Sequence, residues 1–386
     1  MRWSVIRRKL GRVDRALAKA IEKGEIPGAV VLARMPREGE LVEYEAVVGN
    51  AVARPERVAM RRDTVFDLAS LTKPLATTGA LLLLAADGLV DLDDPVAKHL
   101  PAFAEREKEG VTVRHLLTHS SGLKPLRFFH KEMLERERKK GERWIGEAAA
   151  KPWVIERICK SKLVHEPGEA AVYGDLDFIV LGALVEAVAG EPLDAFCARR
   201  IFEPLGMADT RFVPLGRNGP AAPDPARRAR TAATEQCDWR ERILWGEVHD
   251  PNASVMGGVA GHAGLFATAD DVMRGALAWL DAWHGRESIF PAEWVRRFFE
   301  RQDLPPGSDW ALGWDTPTEG QSSSGQHFGR PSVGHLGFTG TSLWMDLERE
   351  LVVVVLTNRI HPIVKRARFE LRPELHDRIV EAFTAE

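Results

Sequence analysis

Apolar and basic residues alternate at helical spacing through residues 1–24, MRWSVIRRKLGRVDRALAKAIEKG, which predicts an amphipathic helix. The segment has no continuous apolar core of signal-peptide length. After Pro27, GAVVLARM and the alternating run VEYEAVVGN flank a polar REGE turn, so a β-hairpin is expected. Tyr44 lies in that alternating run and reads as structural. A third short strand is expected just before Asp67. The period then changes. SLTKPLATTGALLLLAADG carries apolar residues at helical spacing and stops at Gly88. Pro74 falls in the first turn of a helix starting near Ser70, where its missing N–H is harmless.

From about residue 90 to 320 the pattern is mainly helical, with Pro/Gly loops between. TVRHLLTHSSGL reads as a short helix ended by Gly122, and KEMLERERKKGERW as a solvated, charge-dense helix. DLDFIVLGALVEAVAG is a strongly apolar helix stopped by Gly190. Residues 320–326, GQSSSGQ, are the most linker-like stretch. Beyond them SVGHLGFTGTSLWMDLE and ELVVVVLTN read as two adjacent strands, and a final helix is expected from about Glu374. Strands at both ends and helices between them imply one sheet built from both termini, with a helical insertion.

Composition narrows the function. Hydrophobic residues at 45% and charged residues at 28% of 386 exclude a disordered or collagen-like chain. A net charge of -3 offers no large positive field, so no nucleic-acid partner is expected. Cys159, Cys197 and Cys237 are widely spaced without a CxxC pair and read as reduced, buried thiols. The longest apolar stretches, 79–86 and 178–185, are short of the roughly 20 residues that span a bilayer. No membrane contact is expected, and the location implied is cytoplasmic. GxSxG, GxxxxGK[ST], GxGxxG and HExxH are all absent. The histidines are not spaced as ligands, so neither a metal nor a cofactor is expected.

The sharpest chemical signal is Ser70-Leu71-Thr72-Lys73. On a helix, positions i and i+3 share a face, so Lys73 Nζ can reach Ser70 Oγ. Serine needs a neighbouring group to take its proton before it can act as a nucleophile. The serine also sits at a strand-to-helix junction, where the helix N-terminus favours a developing oxyanion. Tyr173, one of only two tyrosines, stands in a loop just ahead of the apolar helix, with Gly174 and Asp175. A tyrosine near a lysine can serve as a general base. His335-Leu336-Gly337-Phe338-Thr339-Gly340 lies on an expected strand whose glycines mark close approach of a backbone or ligand.

Taken in order, SxxK, a tyrosine loop and a [His/Lys]-x-Gly strand resemble the serine β-lactamase and penicillin-binding-protein superfamily, in its class C-like, esterase-containing branch. Connecting segments such as DTVFDLASLTKPLAT, VRHLLTHSSGL and GGVAGHAGLFATADDV resemble the family too, over roughly Ile26 to Asn358. The resemblance implies an α/β (α+β) fold: an antiparallel sheet flanked by helices, from residues 1–80 and 325–386, beside a mainly helical domain over 81–324. The active site would lie between the two. It implies Ser70 as acylated nucleophile, Lys73 as its proton partner and Tyr173 as base, with the backbone N–H groups of Ser70 and Phe338 as oxyanion hole. Asp175, His335, Gly337 and Thr339 would contact substrate.

Two positions depart from the family's usual pattern. Asp175 stands where Asn is usual, and His335 where Lys is often found. Asp175 is expected to bring negative charge to the approach of an anionic substrate. His335, with an ordinary pKa near 6.5, is expected to be neutral above pH 7 and to gain charge toward pH 6. Together they favour short neutral esters over β-lactams. The expected partner is a small ester or amide. A D-alanyl peptidase or weak β-lactamase, an acyltransferase, and a catalytically silent scaffold are the alternatives. Trp245, Trp314 and Trp344 are candidates for lining an acyl pocket.

Overall fold

Strict alternation along the first strands decides how the termini fold together. The computed structural model describes residues 2–365 and 369–385. Strands β1 (Gly28–Arg37) and β2 (Glu40–Val52) pair antiparallel from Gly28 opposite Gly49 to Arg37 opposite Glu40. The short β3 (Val58–Ala59) extends one edge, and β4 (Ser332–Leu336), β5 (Ser342–Asp346) and β6 (Leu351–Thr357) come from the far end of the chain. The six strands run in the order β4-β5-β6-β1-β2-β3, with β6 against β1 joining the two ends.

Five helices frame the site: α1 (Arg2–Glu22), α2 (Gly79–Ala86), α3 (Leu176–Ala189), α4 (Ala269–Trp283) and α5 (Leu371–Phe383). Successive side chains of a strand point to opposite faces. Ala29, Val31 and Ala33 therefore join α1 and α5 in one apolar cluster, while Val30 and Leu32 join the larger core beneath the helices. Helix α4 lies inside the 81–324 stretch assigned to the helical unit, yet it packs on β1 and β6. Apolar α2 and α3 are buried almost all round, as helices at the centre of a core must be. The apolar stretch Ala69–Ala86 is long enough to cross a membrane but lies inside this core.

Three local readings change. The run SVGHLGFTGTSLWMDLE is not one strand but the hairpin β4–β5, because Gly337–Gly340 turns the chain. Gly340 has φ 105°, and a Cβ there would lie 2.1 Å from Thr357 Oγ1. The 320–326 stretch is packed, not a linker. Ser324 is fully buried against Ser322, with their hydroxyls 2.7 Å apart, and Ser323 Oγ donates to Asp315 Oδ2 at 2.8 Å. The helix after Ser70 begins as a 3₁₀ turn (Ala69–Leu71) and a π turn (Lys73–Thr78) before α2. Tyr44 is structural, its OH donating to Asp14 Oδ1 at 2.7 Å, and all three cysteines are free and buried.

Candidate active site

The expected short strand, Phe66–Asp67, pairs with Leu265–Ala267 and delivers the chain to Ser70. Buried Asp67 fixes this junction. Its Oδ1 accepts from the Ala69 N–H at 2.9 Å and its Oδ2 from the His249 N–H at 2.7 Å. Ala69 is held at φ 48°, a left-handed conformation unfavourable for a residue with a Cβ. That bend precedes the serine, and the 3₁₀ turn then sets Lys73 beneath it.

Lys73 is fully buried, and its Nζ donates to Asp175 Oδ1 at 2.9 Å, Ser70 Oγ at 3.0 Å and Tyr173 OH at 3.1 Å. The His262 carbonyl lies 3.3 Å away. Burial disfavours the ammonium, but Asp175 and Tyr173 more than offset it and hold the Lys73 pKa above its ordinary value. The lysine is therefore a charged donor at rest. Asp175 does not stand as an uncompensated negative charge, because Lys73 neutralises it.

Tyr173 is held by rings. Trp310 stacks on it at 5.6 Å, and His119 meets it edge-on at 4.8 Å. His119 in turn lies 3.1 Å from Asp177, which also accepts from Ser121. Burial lowers the His119 pKa to about 3 and raises that of Asp177 to about 7. His119, Ser121 and Asp177 were missed as site residues. The only signal was their place in THSSGL and at the start of α3.

The β4–β5 turn is stitched to the nucleophile segment. Thr341 Oγ1 donates to the Leu68 carbonyl at 3.0 Å, and Thr339 Oγ1 to the Asp67 carbonyl at 2.7 Å. At Gly337 a Cβ would lie 2.4 Å from that Leu68 carbonyl and 2.0 Å from Thr341 Oγ1, so only glycine fits. The turn closes through Gly337 N–H to Thr341 O and Gly340 N–H to Gly337 O, bonds that leave out the Phe338 N–H. Thr339 is thus a buried tie and not a substrate contact: its hydroxyl is engaged and it does not reach the cleft wall.

Ser70, Tyr173, Asp175, His335, Gly337 and Phe338 all line one cleft of about 800 Å³. His335 is 3% exposed, with Nδ1 donating to its neighbour's carbonyl, Leu336 O, at 2.8 Å. Burial, then the charge on Lys73, push its pKa well below 6.5. The expectation that it gains charge toward pH 6 is overturned. None of the three suggested tryptophans reaches the cleft. Trp314 and Trp344 are fully buried in the core, and Trp245 lines a separate pocket with its Nε1 donating to Thr231 O at 2.7 Å. Trp310 takes that place, with Leu126, Phe128, Phe338 and Ile363 exposed around the mouth.

The fold also gathers Asp175, Asp250 and His262, whose ligand-type atoms lie within 4.8 Å of one another. These come from distant points in the chain, so no local spacing announces them. Asp250 Oδ1 is 2.8 Å from His262 Nε2, and Asp175 Oδ1 is engaged by Lys73. Arg372 on α5 also lines the cleft, with Nη1 donating to the Gly337 and Thr341 carbonyls at 2.9 and 2.8 Å.

Comparison with known proteins agrees with this geometry. A protein of Escherichia coli (strain K12), provisionally named a D-alanyl-D-alanine carboxypeptidase, is 31% identical over 376 residues, covering 92% of this chain and 83% of the relative. Among solved structures, EstCE1, described as a hydrolase with promiscuous acyltransferase activity, has a TM-score of 0.73 at 23% identity, covering 97% of this chain and 99% of its own. The octameric penicillin-binding protein homologue from Pyrococcus abyssi has a TM-score of 0.70 at 22% identity, covering 97% of this chain and 76% of its own. The Beta-lactamase family pattern matches residues 13–372, and the chain belongs to that family of serine hydrolases.

Proposed function

We propose that the protein is a serine esterase that forms an acyl-enzyme at Ser70 and prefers short acyl esters lacking a carboxylate. The observation that carries this is Lys73 Nζ within 3.1 Å of both Ser70 Oγ and Tyr173 OH. With Lys73 charged and donating, the proton of Ser70 passes to Tyr173, and the ammonium stabilises whichever oxygen carries negative charge as it moves. Ser70 Oγ bonds to the ester carbonyl carbon, and the oxyanion is received by the Ser70 and Phe338 N–H groups. The bond to the leaving oxygen breaks as Tyr173 returns the proton to it. Water then attacks the acyl-serine, gives its proton to Tyr173, and the acid departs as Ser70 recovers its own.

The preference for esters without a carboxylate rests on His335, which is buried and neutral where a cation would attract an anion, and on the apolar mouth. A charge-assisted contact contributes roughly 1.5–3 kcal/mol, about one to two decades in kcat/KM. Arg372 in the cleft wall and the relative's name favour a second reading, a D-alanyl peptidase. The test is kcat/KM for phenyl acetate or butyrate, nitrocefin and a D-Ala-D-Ala peptide. The ester should lead by at least about tenfold; a lead for the peptide or nitrocefin supports the second reading.

A further inference from the structure

The cleft beside Ser70 is rich in hydrogen-bond acceptors that lack donors. Asp250, Asp175 and Glu235 all face it. Asp250 Oδ1 accepts from the Ala253 N–H at 2.7 Å and from His262 Nε2 at 2.8 Å. Burial opposes the charge on Asp250, but the His262 ring and the Ala253 amide outweigh it and keep the carboxylate ionised. Asn252, 2% exposed and two residues along, donates through Nδ2 to Arg127 O at 2.7 Å, while its Oδ1 has no partner among the described residues. His335 presents a bare Nε2, because its Nδ1 holds the proton that bonds Leu336 O. Asn252 and His335 both line the cleft.

A group that satisfies such a wall brings donors and positive charge but no acceptor of its own. A primary ammonium has three donors and no acceptor. A divalent metal fits less well. The Lys73 ammonium lies 2.9 Å from Asp175 Oδ1 and would repel it, and His262 Nε2 already serves Asp250. A carboxylate is the worst fit, being acceptor only. The other cation of the wall, Arg372, directs Nη1 at the Gly337 and Thr341 carbonyls.

Building on the reading of Ser70 as the acylated nucleophile, we propose that the preferred substrates carry a protonated amine close to the scissile carbonyl, received by Asp250 and Asn252 Oδ1. The amine can belong to the acyl part or to the leaving alcohol, and two matched pairs separate these sources. Alanine p-nitroanilide against N-acetyl-alanine p-nitroanilide tests the acyl side; 2-aminoethyl acetate against propyl acetate tests the alcohol side. At pH 7 the amine-bearing member of one pair should be favoured by at least about tenfold in kcat/KM, the size of one charge-assisted contact. Asp250→Asn should cut that ratio to below about threefold. Should Asp250→Asn fail to fold, Asn252→Ala should lower the same ratio. A wild-type ratio of one or less in both pairs, with phenyl acetate turned over and Ser70 labelled, overturns this inference and leaves the nucleophile standing. A ratio unmoved in folded Asp250→Asn also overturns it. Failure of Ser70 to label overturns both.

Discussion

Asp175 is the residue through which this site departs most from its relatives in chemistry, and Asp175→Asn isolates that departure. The substitution keeps shape and an acceptor oxygen for Lys73 but removes the charge. At 2.9 Å and an effective dielectric of about 20, the pair's attraction is about 6 kcal/mol. The amide dipole recovers part of it, and breaking a buried pair typically costs about 3–5 kcal/mol, so about 3 kcal/mol is expected here. Lys73 is fully buried and its partner's side chain only 22% exposed, so solvent screens the pair little. For 386 residues the unfolding entropy is about 0.8 kcal/mol/K, which converts that loss into a Tm lower by about 4 °C. Because the folded pKa of Lys73 is raised, the pair's contribution is complete below the lysine's unfolded value of 10.5 and disappears only as pH rises through the folded value. The full deficit should therefore appear at pH 7. The same 3 kcal/mol lowers the Lys73 pKa by about two units. The alkaline limb of kcat/KM for phenyl acetate should move down accordingly. A Tm within 1 °C of wild type with an unmoved alkaline limb would refute the claim that Asp175 keeps Lys73 charged.

Other consequences are equally direct. Tyr173→Phe keeps the ring stacked on Trp310 but removes the proton acceptor, and steady-state kinetics should show a loss of about 10²–10⁴-fold, mainly in kcat; a change confined to KM demotes Tyr173 to positioning. Gly337→Ala forces a Cβ to within 2.4 Å of the Leu68 carbonyl, so the turn carrying Phe338 must shift and kcat should fall by at least about tenfold; a wild-type rate would separate that turn from the oxyanion hole. Asp177 has its folded pKa raised by burial from 3.8 to about 7, so its stabilising contribution is complete below 3.8 and is lost as pH rises toward and past 7. The Tm of Asp177→Asn relative to wild type should therefore climb between pH 5 and 8, and a constant difference would place the titration elsewhere.

Whatever was local in this chain was legible in its sequence. Ser70 and Lys73 are three residues apart on one turn, and that spacing alone brings them together. The β1–β2 hairpin followed from alternation, and the pairing of the two chain ends from strands at both termini. The tyrosine came from its loop and from family resemblance together. What was hidden depends on long-range packing. Asp250, His262 and Trp310 enter the cleft from separate loops, and nothing in their neighbours marks them. HLGFTG looked like strand because its apolar residues alternate, yet Gly340 at positive φ makes it a turn. Thr339 was read as facing substrate, but its hydroxyl instead ties the turn to Asp67. His335 was read with a solution pKa, which burial beside Lys73 does not allow. GQSSSGQ looked like a linker because hydroxyl-rich composition says nothing of whether those hydroxyls find partners.

The central claim is that Ser70 becomes acylated, and intact-mass spectrometry after incubation with a fluorophosphonate or a penicillin tests it most directly. Wild-type protein should gain one adduct, mapped by peptide digestion to Ser70. Ser70→Ala, with a Tm within about 1 °C of wild type because a partly exposed hydroxyl contributes little to folding, should gain none and lose esterase activity. A folded wild type that takes up no adduct from either reagent, or a Ser70→Ala variant that still labels or keeps more than a few per cent of activity, would contradict the account.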